Sequence, residues 1–191
     1  MITIRRCIVL ATCLFACSSE NPTNDAGADA SADVSTDAKM EAAAEAGNPD
    51  AGCNTVTNVG TTVPQLFVAT DAVTGDGGGV IGAGTYVCTT AAVYTGPDGG
   101  GGPTGTSFRD TVVIDDAGAY ERAATISNDA GASDFRENGH FILNGSSITI
   151  TQTCPAGTQP FNSYDSNGAT FHVYAPALGS NPAVMFEYTK Q

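Results

Sequence analysis

Apolar and polar positions divide the chain into three regions with different rhythms. Behind two arginines at the start lies one short apolar run, Cys7 to Phe15. From Ser18 to Gly52 sizeable apolar residues nearly vanish, with Val34 and Met40 the only two. From about residue 84 onward, short runs rich in Thr, Val, Ile, Tyr and Phe alternate with polar residues and are separated by Gly, Asn and Pro. None of these runs holds a 3.6-residue period, and a period of two with such punctuation predicts strands. The pattern predicts eight, at about 84–95, 107–115, 118–127, 136–144, 147–154, 159–165, 169–175 and 183–189.

Alternation assigns several faces. Ile148, Ile150 and Cys154 share one side of their strand, opposed by Thr149, Thr151 and Thr153. Tyr86, Cys88 and Tyr94 share a side in the first strand. In the last, Val184, Phe186 and Tyr188 oppose Met185 and Glu187. Arg109, Asp110, Glu121 and Arg122 interleave with apolar residues in the second and third strands and leave their faces unassigned. Asn144-Gly145 is the strongest hairpin signal, because a type I′ turn needs positive φ. Ser166-Asn167-Gly168 and Asp115-Asp116-Ala117-Gly118 read as further turns.

An all-β domain over about 81–191 follows, preceded by a flexible lead-in at 53–80. Eight sequential antiparallel strands suit an up-and-down barrel, which removes exposed edges by closure. A β-sandwich of the same strands is the alternative. Gly84-Thr85-Tyr86 opening the first strand, a long loop, and then seven strands ending in Phe186-Glu-Tyr-Thr-Lys190 resemble a lipocalin-like barrel. The resemblance places the glycine-rich segment 95–105 where such barrels carry a lid, although a plain flexible linker reads the same way. A barrel of this size can hold one small apolar ligand, lined here by Tyr86, Phe186 or Tyr188, or be filled by side chains.

The N-terminus has a basic head at Arg5-Arg6, a short apolar middle and a small residue, Ala16, before Cys17. Together these make a secretory signal peptide, 1–16. Its apolar stretch is far short of the ~20 residues of a transmembrane helix. Leu14-Phe15-Ala16-Cys17 resembles the lipobox of bacterial lipoproteins. The resemblance implies cleavage before Cys17, a thioether-linked diacylglycerol on its sulfur and an acyl chain on its new amino group. Multiple chains give stable anchoring where one does not. Ser18 in the next position points to the outer membrane. Residues 18–52, rich in Ala, Asp and Gly, bury too little apolar surface to offset their ordering entropy, so a disordered tether is expected. Asp25, Asp29, Asp33 and Asp37 recur every four residues without the frame of a calcium loop, so no metal is expected there.

Charge removes further classes of partner. Loss of Arg5 and Arg6 takes the formal net charge from −13 to −15, and the domain from Cys53 onward carries 12 acidic residues against Arg109, Arg122, Arg136 and Lys190. Nucleic-acid binding rests on neutralising phosphates and is not expected. The charge favours a soluble monomeric domain.

Cys53, Cys88 and Cys154 remain in the exported part, enough for one disulfide. In a meander Cys88 and Cys154 lie towards opposite ends, whereas a disulfide needs Cα atoms within about 7 Å. Cys53, in the lead-in, can reach Cys154. Cys53–Cys154 with Cys88 a buried thiol is therefore expected, and Cys88–Cys154 would require another strand order.

No catalytic signature is present. There is no Gly-x-Ser-x-Gly elbow, and the glycine-rich segment lacks the Gly-Lys-Ser/Thr of a phosphate loop. His140 and His172 alternate with apolar neighbours and are expected to point outward. The sequence implies no cofactor and no enzyme. Two roles remain: a non-catalytic envelope module engaging a partner through its surface, or a carrier of a small apolar ligand.

Overall fold

The computed structural model describes residues 52–191. The signal peptide, Cys17 and the acidic segment up to residue 51 lie outside the described residues. Those described form ten strands and no helix: β1 Val63–Val68, β2 Gly84–Tyr94, β3 Gly102–Ile114, β4 Ala119–Asn128, β5 Gly131–Asn144, β6 Ser147–Cys154, β7 Ala156–Thr158, β8 Ser163–Ser166, β9 Thr170–Ala175 and β10 Ala183–Lys190. They make one mixed sheet in the order β5-β4-β3-β1-β2-β10-β9-β8-β6-β7. An additional β5–β6 pairing joins its two sides, so nine strands form a circuit and β7 hangs from β6.

Eight antiparallel strands therefore become ten, and the sheet is not wholly antiparallel. β2 and β3 pair directly only at one end, Gly84–Val87 against Ile114–Thr111. Beyond that point they separate, and β1 fills the gap, parallel to β2 from Gln65↔Ala91 to Val68↔Tyr94 and antiparallel to β3. The inserted strand gives the parted backbones partners that buried peptide groups require. Pro64 hides β1 in the sequence, since proline argues against a central strand. The strand expected at 159–165 shortens to β8, and β7 is an additional short strand ahead of it, with Pro160 in the segment between the two. The glycine-rich connection shortens to Thr95–Gly101, because β3 already begins at Gly102; Thr95 and Gly96 N–H donate to the Val68 and Thr70 carbonyls at 3.0 Å.

The lead-in is docked rather than flexible. Residues 53–60 run as a strap along the outer face of β3–β5. Thr111 Oγ1 donates to Asn58 Oδ1 at 3.0 Å and accepts from the Val59 and Gly60 N–H groups at 2.9 and 3.0 Å. Arg136 Nη1 donates to the Val56 carbonyl at 2.6 Å, and Asn54 Nδ2 to the Glu137 carbonyl at 2.7 Å. Thr111 and Ala123, cross-strand partners on that face, are buried beneath it. With core on one side and strap on the other, β3 and β4 lose the exposed face that alternation needs, which is why their pattern is illegible. A second contact comes at Gly75, where a Cβ would lie 2.3 Å from the Tyr164 backbone. Only glycine permits that approach.

The Asn144-Gly145 hairpin forms, with Gly145 at φ 61° and Asn144 paired to Ser147. Cys53 and Cys154 are disulfide-bonded with Cα atoms 5.4 Å apart, and Cys88 is free and buried. Asn138, the ladder partner of Cys154, also donates from Nδ2 to the Cys53 carbonyl at 2.8 Å. The core lies on the face shared by Tyr86, Cys88, Phe108, Val112, Phe171 and Tyr188.

Candidate functional site

Register brings charged groups onto that inner face. Val112, Arg122 and Glu137 are consecutive cross-strand partners on β3, β4 and β5. Asp110, two residues before Val112, is on the same side and has no exposed surface. Arg122 Nε lies 3.0 and 2.9 Å from the two Asp110 oxygens, Nη2 lies 2.7 Å from Oδ2, and Nη1 lies 3.1 Å from Glu137 Oε1. The Tyr188 hydroxyl donates to Asp110 Oδ2 at 2.8 Å. Gln159 Nε2 donates to Glu137 Oε2 at 3.0 Å, and Gln152 donates to the same oxygen. Charges survive burial when hydrogen bonds replace lost water, and here donors surround both carboxylates. Burial opposes the Arg122 charge, but Asp110 chiefly, with Glu137, holds its pKa well above the usual value. Burial, and then Asp110, raises Tyr188. Burial, reinforced by Asp110, pushes Cys88 up to about 12, so it stays a thiol and not a nucleophile.

This cluster borders a cavity of about 60 Å³. Its other walls include Ile81, Val112, Ile114, Phe141, Ile148 and Val173. Gln159 and Phe161 reach it from the segment between β7 and β8. Of the aromatic residues expected to line an interior, Tyr188 borders the cavity. Tyr86 and Phe186 instead pack edge-on against Phe171 and Phe108, each with ring centroids 5.0 Å apart.

A second array crosses the outer face. His172 alternates with Phe171 and Val173, which face the cavity, and pairs across the ladder with Asp165 on β8 and Glu187 on β10. Its Nδ1 lies 2.6 Å from Asp165 Oδ1 and its Nε2 lies 3.0 Å from Glu187 Oε2. The Tyr174 hydroxyl donates to Asp165 Oδ2 at 2.7 Å, and the Thr89 hydroxyl to Glu187 Oε1 at 2.6 Å. Partial burial lowers the His172 pKa, but hydrogen bonds to Asp165 and Glu187 outweigh it and raise the net value. Glu187 is lowered, chiefly by the Thr89 hydrogen bond against opposing burial, with His172 adding to the effect. Both imidazole nitrogens are engaged by carboxylates, and Thr89 bonds Glu187 rather than the ring. The row therefore lacks the nucleophile–base contact of a catalytic triad. His140 is exposed on β5.

Among the described residues, no group of three or more His, Cys, Asp or Glu side chains is arranged to hold a metal ion. Sequence reasoning missed both charged arrays. The inner one left a trace in the charges interleaved through β3 and β4. The outer one left none, because Asp165, His172 and Glu187 meet only through strand register.

Compared with protein-family models, curated proteins and solved structures, the chain matches none of them.

Proposed function

We propose that this chain is a non-catalytic envelope protein, lipid-anchored at the outer membrane, whose β domain engages another envelope component through its outer surface. The observation that carries this reading is the filled interior. A cavity of about 60 Å³ lies far below the roughly 300–1,000 Å³ of sites that enclose a ligand of ordinary size. The anchor rests on the basic head, the apolar run and Leu14-Phe15-Ala16-Cys17. The nine-strand circuit and its successive hairpins support reading the domain as a lipocalin-like barrel widened by β1. A carrier role for a larger apolar ligand requires Gln159 and Phe161 to leave the interior, which breaks the Gln159–Glu137 hydrogen bond.

Two measurements on producing cells test the reading. Labelled palmitate should enter the wild-type chain and not C17S, and the label should fractionate with the outer membrane. Cross-linking in intact cells should join the anchored domain to a specific envelope component. Unlabelled wild-type protein would remove the anchor, and cross-linking that recovers only monomer would remove the interaction role.

A further inference from the structure

Three Asn-Gly pairs occur in the chain, Asn138-Gly139, Asn144-Gly145 and Asn167-Gly168. In such a pair the glycine nitrogen, unshielded by a side chain, can attack the asparagine side-chain carbonyl carbon. The reaction needs a free side-chain amide, a free glycine N–H and room for a five-membered ring. Two of the pairs are held. Asn138 Nδ2 donates to the Cys53 carbonyl at 2.8 Å, and its Oδ1 accepts from the Thr153 hydroxyl at 2.7 Å. Gly139 sits in the ladder between Tyr120 and Gln152, where an added Cβ would lie 2.1 Å from the Thr151 carbonyl oxygen. Asn167 Oδ1 accepts from the Ala169 and Thr170 N–H groups at 3.0 and 2.8 Å, and the Gly168 N–H donates to Ser166 Oγ at 3.1 Å. Asn144 differs on every count. It is exposed at the β5–β6 turn, and among the described residues neither its side chain nor the Gly145 N–H enters a hydrogen bond. A Cβ on Gly145 would meet nothing within 4 Å.

We propose that Asn144-Gly145 is a site of spontaneous deamidation, selected by the fold from three identical pairs, and that its conversion loosens residues 78–80 from β8. The Gly145 nitrogen bonds to Asn144 Cγ, the Cγ–Nδ2 bond breaks, and the nitrogen's proton leaves with the ammonia, closing a succinimide. Water, the one co-reactant, then opens the ring at either carbonyl and leaves an aspartyl or an isoaspartyl residue at position 144. Each product carries a new carboxylate. The isoaspartyl form also routes the main chain through the side-chain methylene and lengthens the turn by one atom. Close contacts transmit that change. Gly78 packs against the turn so tightly that a Cβ there would lie 2.4 Å from the Gly145 carbonyl oxygen. The Ser146 carbonyl accepts from the Tyr164 N–H at 2.9 Å, and the Gly78 carbonyl from the Ser166 N–H at 2.7 Å. A lengthened turn displaces both contacts, as an inserted residue disrupts a ladder.

Ageing the full chain in mildly alkaline buffer, with each Asn-Gly site followed by tandem mass spectrometry, tests the selection. In the folded protein Asn144 should convert at least about tenfold faster than Asn138 and Asn167, whose reaction waits on local opening. In urea the three rates should converge. Equal rates in the folded protein, or the same preference for Asn144 in urea, would overturn selection by the fold. Hydrogen exchange before and after ageing tests the consequence. The Tyr164 and Ser166 N–H groups should exchange faster in converted wild type, whereas N144Q, whose longer side chain closes a ring far more slowly, should age without that change. Unchanged exchange in converted wild type, or an equal change in N144Q, would overturn the loosening of residues 78–80. If N144Q does not fold, the comparison of fresh with converted wild type decides by itself.

Discussion

Two arrays of the same plan occupy opposite faces of one sheet. Asp110–Arg122–Glu137 is inside and Asp165–His172–Glu187 outside, each a basic side chain held between two carboxylates. They differ in solvent and in the permanence of the central charge. Asp110 has no exposed surface and Arg122 keeps 20% of its side chain exposed, while the three outer side chains keep 26–32%. Arginine stays charged at every accessible pH, whereas histidine titrates near neutrality. Inside, loss of one partner strands a charge in a poorly solvated core. Outside, water compensates. The same arrangement thus holds the fold in one place and adjusts with pH in the other.

The largest expected effect comes from breaking the inner array. Asp110→Ala leaves Arg122 short of its main counter-charge and the Tyr188 hydroxyl without its acceptor. Breaking a buried pair costs about 3–5 kcal/mol, to be read from urea unfolding midpoints. A loss under about 1 kcal/mol, the range of exposed pairs, would place the inner array on the same footing as the outer one.

Next comes the covalent tie beside the inner array. Cys154→Ser opens the 101-residue separation closed by the disulfide and should cost about 2–4 kcal/mol. Because Cys53 begins the strap over β3–β5, hydrogen exchange should also accelerate at Val59 and Gly60, whose N–H groups donate to Thr111. Unchanged exchange there would show that the asparagine and threonine contacts hold the strap without the disulfide.

The smallest effect is expected outside. His172→Gln should cost at most about 1 kcal/mol, as for a solvent-screened pair, and the cost should depend on pH. The raised folded pKa of His172 makes its contribution complete below its ordinary 6.5 and lost as pH climbs through the higher folded value. Glu187, depressed from 4.5, contributes above that value and loses its contribution as pH falls through the lower folded one. The penalty of H172Q should therefore be greatest between 4.5 and 6.5 and shrink toward pH 9. Arg122 does not titrate in that interval, so the D110A penalty should stay level across it. Parallel pH profiles for the two variants would erase the distinction between the faces.

Much of the fold was legible because its signals are local. Asn144-Gly145, Ser166-Asn167-Gly168 and Asp115–Gly118 each mark a turn that forms. The alternation of Ile148 and Ile150 against Thr149 and Thr151 orients that part of β6 correctly, with both isoleucines bordering the cavity, but the register shift at Asn138/Gly139 turns Cys154, expected beside them, to the side of Asn138 and the strap. The disulfide was legible from strand order: a meander sets Cys88 and Cys154 towards opposite ends, whereas Cys53 in the lead-in can reach Cys154, the pair that forms. The β4–β5 hairpin was drawn too short, since Gly131-Ala-Ser-Asp has little strand propensity yet pairs along its length with β4.

By itself, then, the sequence determined the all-β class, the hairpins and the pairing of Cys53 with Cys154, because turn chemistry, side-chain alternation and cysteine placement act over a few residues or by exclusion. Tertiary structure alone decided that β1 enters between β2 and β3, that residues 53–60 bury a second face of β3–β5, and that each charged array assembles. The strap joins segments far apart in the chain, whereas the arrays depend on exact register between neighbouring strands. A shift of one residue turns every side chain to the other face, so Arg122 meets Asp110 only when β3 pairs with β4 in this register, and His172 meets Glu187 only when β9 pairs with β10 in this one.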